Sequence, residues 1–121
     1  MIRNLLLVAA GGALGAMLRY LMGLLGGAVS ASPVVVTLAV NVVGSLAIGM
    51  LAAGCQSERW LLFATVGICG GFTTCSTFSL QTLTLLQQGR PLPAVLYAVG
   101  TVVLCVVCCF AGFLLGSHIK G

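Results

Sequence analysis

Acid is almost missing from this chain: of 121 residues only Glu58 is acidic, and charged residues of both signs make up 5%. A soluble domain carries about 25% charged residues, so no ordinary water-facing surface can be built from this composition. A catalytic pair of carboxylates is excluded, as is a cation pathway built on an acidic ring. The one histidine, His118, stands near the end of the chain and Glu58 in a loop, so no acid, base and nucleophile converge and no enzyme is expected. Basic clusters are missing too. Arg3, Arg19, Arg59, Arg90 and Lys120 are spread singly and lack the interleaved aromatics of a nucleic-acid surface, so no nucleic-acid partner is expected.

What the chain does have is apolar sequence, 60% of its residues. A hydrocarbon core of ~30 Å takes about 20 apolar residues per helix, so four spans and their turns use nearly the whole length. The expected architecture is an all-α integral membrane protein, a single four-helix domain over 1–121 with spans at about 5–28, 33–54, 60–86 and 94–115. The first apolar run continues past Met17 to Leu25, too long for a removable signal segment, and is expected to be retained. Ser32 and Pro33 suit the N-cap and first turn of the second helix. CQSER, residues 55–59, is the most polar stretch and reads as a loop, with the Trp60 indole at the interface. QQGRPLP, residues 87–93, carries the strongest turn signals, and Ser117 to Gly121 form a short tail with His118 in it. Short loops make the helices alternate. Arg3, Arg59 and Lys120 then share one side against Arg90 on the other, a small bias toward cytoplasmic termini.

The six cysteines, at 55, 69, 75, 105, 108 and 109, lie mostly in apolar runs and read as small buried hydrophobes. Small residues recur at helical spacing in Gly11/Gly15, Gly12/Ala16, Gly23/Gly27 and Gly112/Gly116, faces that let helix backbones approach in lipid. Four helices enclose little on their own, so an oligomer is expected.

Polar side chains inside the spans carry the functional signal, because an unsatisfied donor in hydrocarbon costs several kcal/mol. Thr37, Asn41 and Ser45 recur every four residues in the second span, and Thr101, Cys105 and Cys109 do so in the fourth. Hydroxyls can bond the backbone carbonyl four residues back. The Asn41 amide, with two donors and an acceptor, is harder to satisfy that way. Residues 73–79 hold five hydroxyls in seven positions directly after Gly70 and Gly71. A continuous helix would turn some of these into lipid, so the third helix is expected to be broken at its centre, where irregular backbone is tolerated if it lines a cavity. Freed carbonyls suit a cation there, and hydroxyls and amides suit an anion. With no interior acid, and with the Arg19 guanidinium and the positive edge of the Phe78 ring available, a small anion is favoured.

GGALGAMLRY at 11–20, the N-x-x-G of Asn41 to Gly44, and GICGGFTTCSTFS at 67–79 together resemble the Fluc/CrcB family of fluoride channels over nearly the whole chain. The resemblance implies an antiparallel, dual-topology homodimer with two pores that exports fluoride passively across the bacterial inner membrane. It implies backbone carbonyls of Gly70 and Thr73, from both subunits, around a structural sodium ion. It further implies a fluoride pathway of Asn41, Phe78, Cys75, Thr37, Ser76, Thr77, Thr101, Cys105 and Cys109, with Arg19 toward the vestibule. Three positions depart from the family pattern. Cys75 stands in place of the first of two pore phenylalanines, Cys105 and Cys109 replace the usual hydroxyls, and Gln81 replaces a frequent Glu. Slower conduction with retained selectivity over chloride is expected.

Two rival readings have sequence-level discriminators. A small multidrug-type antiporter has the same size but needs a carboxylate in its first helix, and this one has none. A non-transporting structural membrane protein would use every polar residue for packing and pass no fluoride.

Overall fold

The computed structural model describes residues 1–54, 57–73 and 75–120, with the backbone alone at Lys120. Cys55 and Gln56 of the expected loop, Thr74 of the hydroxyl-rich segment and the terminal Gly121 lie outside the described residues. The protein is all-helical, with four stretches long and apolar enough to cross a membrane: Ile2–Ala28, Pro33–Gly54, Glu58–Gln87 and Pro91–Ile119.

Helices α1 (Ile2–Ala28) and α2 (Pro33–Gly54) are joined by a tight turn. Ser30 adopts a left-handed φ of 59°, which turns the Ala31 N–H back to Gly26 O at 2.7 Å and the Ser30 N–H to Gly27 O at 3.1 Å. Those two bonds satisfy carbonyls the helix end would otherwise leave open. Pro33 then opens α2, and the Ser32 hydroxyl accepts from the Val34 N–H at 3.3 Å.

The third stretch is made of short pieces: α3 (Glu58–Leu62), a π-helical segment π1 (Phe63–Cys69), α4 (Gly70–Phe72) and α5 (Ser76–Gln87). Ser57 caps α3 by accepting from the Trp60 N–H at 3.4 Å. After α4 the chain leaves helical geometry at Thr73, with φ −79° and ψ 159°. The second turn repeats the first: Gly89 at φ 72° places the Arg90 N–H on Leu85 O at 3.0 Å and its own on Leu86 O at 3.1 Å.

Helix α6 (Pro91–Lys120) starts and ends outside the expected span of 94–115. Prolines 91 and 93 fall in its first turn, where their missing N–H groups have no intrahelical acceptor to lose. At the other end the helix takes in the residues expected as a tail, so His118 is helical. A helix can run past the ~30 Å hydrocarbon layer it crosses, so its ends need not mark the bilayer's.

Two helix pairs form the molecule. Helix α2 packs most extensively on α6, and α1 packs on π1 and α4. Both seams are glycine seams. A Cβ on Gly11 would come within 2.8 Å of Gly67 Cα, and one on Gly15 would run into Ile68 O, so α1 touches the third stretch backbone to backbone. Gly49 lies against Cys109 O in the other seam, Gly112 against Leu46 O and Gly116 against Met50 O. Gly23 and Gly27 differ: nothing stands within 4 Å of a Cβ there. The buried apolar side chains are few, Val40, Cys69, Phe72, Ala94 and Tyr97, while leucines and valines cover the outside. That inversion of a water-soluble surface is what a lipid solvent permits.

Candidate functional site

The α2 row of polar residues and the α6 row meet across one cavity of 690 Å³. Asn41 and Ser45 come from α2, Thr101 and Cys105 from α6, and Gly70, Thr73, Cys75 and Phe78 from the third stretch. The four-residue spacing places each pair on one helix face, and the glycine seam holds the two faces together. No acid lines this cavity.

Two of its hydroxyls are already satisfied along their own helix: Thr65 donates to Leu61 O at 2.6 Å and Thr73 to Cys69 O at 2.9 Å. Thr101 is different. Its hydroxyl is buried on the cavity wall and has no hydrogen-bond partner among the described residues. Leaving such a group unmade costs roughly 1–3 kcal/mol, so a polar occupant of the cavity is what the position is suited to receive.

A second cavity, of 400 Å³, takes Thr37, Arg19 and Thr77, and Gln81 lines it as well. The α2 row therefore runs from one cavity to the other, Thr37 in the second and Asn41 in the first. The layer at their junction is aromatic. Phe78 and Tyr97 pack with ring centroids 5.0 Å apart and planes tilted by 60°. The Tyr97 hydroxyl donates to Gln81 Oε1 at 2.8 Å and is also bonded by the Thr37 side chain. Buried Tyr97 thus ties α2, α5 and α6 together beside Phe78.

Not every residue expected at the site lines these spaces. Ser76 is in neither cavity, and it is exposed; Cys75 and Thr77 are exposed too, though each lines one of the cavities. Cys109 is in neither, and its carbonyl packs against Gly49. Sequence reasoning did not single out Tyr97. The signal was available, since Tyr97 lies four residues before Thr101 and so begins the same α6 row.

Thr73 turns out of helical geometry just where Gly70, exposed and lacking a side chain, faces the same cavity. The Thr73 hydroxyl is committed to Cys69 O, so what this segment has to give a ligand is carbonyl oxygen. Carbonyls are hard ligands suited to a group-1 or group-2 cation. Carbonyls of Gly70 and Thr73 would suit a small hard cation better than a soft one.

Comparison with known proteins gives a consistent set of relatives. A sequence model of the family described as CrcB-like protein, Camphor Resistance (CrcB), matches residues 6–113. A Rhodospirillum rubrum protein named Fluoride-specific ion channel FluC is 48% identical over 119 residues, covering 92% of this chain and 89% of its own. Proteins of the same name from Nitrobacter winogradskyi and Thermus thermophilus are 47% and 45% identical. The first alignment covers 89% of this chain and 90% of the relative, the second 96% and 97%.

Proposed function

The chain belongs to the CrcB-like family, and on that premise we propose that it is a fluoride-selective channel that lets fluoride leave the cell passively, lowering its cytoplasmic concentration. It is a multi-pass membrane protein and acts as a channel, not an enzyme. One observation carries the reading to this chain's own residues: the buried Thr101 hydroxyl, without a hydrogen-bond partner among the described residues, on the wall of an acid-free cavity that Asn41 and Phe78 also line. Amide and hydroxyl donors with no carboxylate beside them suit an anion on the Asn41 and Thr101 wall of that cavity.

The pathway runs through Thr37, the Phe78–Tyr97 layer, Asn41, Thr101 and Cys105, with Arg19 drawing anions toward the Thr37 end. Fluoride sheds tightly held water on entry. Donors on α2 and α6 replace that water in part, and the ring edge of Phe78 adds a weaker contact. Exposed Ser76 calls for a cover, since a hydroxyl at membrane depth needs protein or water beside it. A second copy of the chain supplies it. An antiparallel, dual-topology homodimer in the bacterial inner membrane has two such pathways, completed by Ser76 and Thr77, with Cys109 at the far end of the α6 row. Carbonyls of Gly70 and Thr73 from both copies would hold a structural sodium ion at the dimer centre, where it supplies charge that fixes the two broken segments together.

Cys75 lines the main cavity, and it stands where a second aromatic edge would serve. A thiol is a weak donor. Cys75→Phe is therefore expected to raise fluoride efflux from reconstituted vesicles several-fold, while chloride stays excluded. Equal or lower fluoride flux in the Phe variant contradicts this role for position 75. The activity itself is tested by fluoride efflux from vesicles that contain only the purified protein.

A further inference from the structure

A third cavity, of 630 Å³, lies where the start of α1 meets the start of α3 and shares Thr65 with the first cavity. Its exposed part is charged, with Arg3, Arg59 and Glu58 around the Trp60 indole. Among the described residues no ion pair engages either arginine or Glu58, although all three line one cavity. Two guanidiniums and one carboxylate leave it a net charge of +1.

The half-buried part is different in kind. Leu61 and Leu62 form it together with Thr65, whose hydroxyl is spent on Leu61 O at 2.6 Å. That wall has only methyl and methylene surface to give. A hydrated inorganic ion would gain from the arginines and lose against the leucines. An amphiphile with one anionic group and an acyl chain matches both parts. Trp60, 63% exposed, has the amphipathic ring that sits at headgroup level in a bilayer.

We propose that this cavity binds an anionic phospholipid, its phosphodiester gripped by Arg3 and Arg59 and its chain laid along Leu61 and Leu62. Guanidiniums bind phosphate oxygens bidentately, which a lysine pair does less well. Glu58 holds the net charge at +1, equal and opposite to a single phosphodiester, and its carboxylate disfavours headgroups of higher negative charge. The bound lipid pins the beginning of α1 to the beginning of α3 at the membrane surface. This site is independent of what the channel conducts.

Trp60 is the only tryptophan in the chain, so its emission reports on this cavity alone. The purified protein is placed in vesicles that mix phosphatidylglycerol and phosphatidylcholine, with bromine on the acyl chains of one lipid or the other. Brominated phosphatidylglycerol is expected to quench Trp60 the more strongly, with a relative affinity above unity by about fivefold for each arginine. Arg3→Gln with Arg59→Gln brings the ratio close to one, and Glu58→Gln raises it. Circular dichroism checks that each variant is folded. If the double variant does not fold, the wild-type ratio and the Glu58→Gln change still decide. Equal quenching by the two lipids overturns the proposal, as does a ratio that survives loss of both arginines. Loss of the preference on adding millimolar inorganic phosphate overturns the lipid assignment in favour of a free-phosphate site.

Discussion

Asn41→Ala lowers fluoride efflux by about 10- to 100-fold, and Asn41→Asp lowers it further still. Asn41 stands on α2 facing Thr101 and Cys105 on α6 across the main cavity. A hydrogen bond to a charged partner is worth roughly 1.5–3 kcal/mol, and each 1.36 kcal/mol is tenfold in rate. Aspartate keeps the size and replaces the amide donor by a carboxylate. At an effective dielectric constant near 20, two like charges at ~4 Å repel by about 4 kcal/mol, which closes the path to an anion. The measurement is initial efflux from vesicles at equal protein content, with size-exclusion elution checking that assembly is unchanged. Wild-type rates in either variant contradict an anion path at Asn41.

Gly112→Val has the largest expected effect on stability. Its Cβ would run into Leu46 O, with the Met50 backbone nitrogen 3.1 Å away. Backbone cannot swing aside as a side-chain tip can. Overpacking ordinary cores costs roughly 1–3 kcal/mol, and a clash with main chain in the α2–α6 seam is expected to reach or exceed the top of that range. Thermal unfolding in detergent should show a marked loss of stability. Gly23→Val is the control, because nothing lies within 4 Å of a Cβ at Gly23. If both variants unfold alike, the seam does not hold the molecule together.

The contrast between those two glycines marks where sequence reading runs out. Gly23/Gly27 and Gly112/Gly116 have the same spacing, and a four-residue repeat identifies a face without naming its neighbour. Only the α2–α6 seam made one of them tight. Residue type and period were enough for the four membrane-capable helices, because hydrocarbon demands long apolar runs whatever packs beside them. The polar rows of α2 and α6 were legible for the same reason: an amide in lipid must be facing something. Their meeting in one cavity was not, since it depends on which helices pair.

Other misses were local. QQGRPLP has two prolines and a glycine, so it reads as turn throughout, yet a first-turn proline costs a helix nothing and α6 starts at Pro91. Tyr97 was passed over because an aromatic residue in an apolar run looks like core. Its ring is indeed core, while its hydroxyl joins Gln81 and Thr37. In Gln81 the amide oxygen accepts from that tyrosine as a carboxylate would, so the bond to α6 is kept while the interior stays free of negative charge.

Whether an acid-free cavity lined by Asn41, Phe78 and Thr101 passes fluoride is decided with purified protein in vesicles loaded with potassium fluoride and potassium chloride, with efflux of each anion followed by selective electrodes after adding a potassium ionophore. The predicted result is fluoride release far faster than from protein-free vesicles while chloride is retained. Fluoride leaving no faster than from protein-free vesicles, or chloride leaving as fast as fluoride, would contradict it.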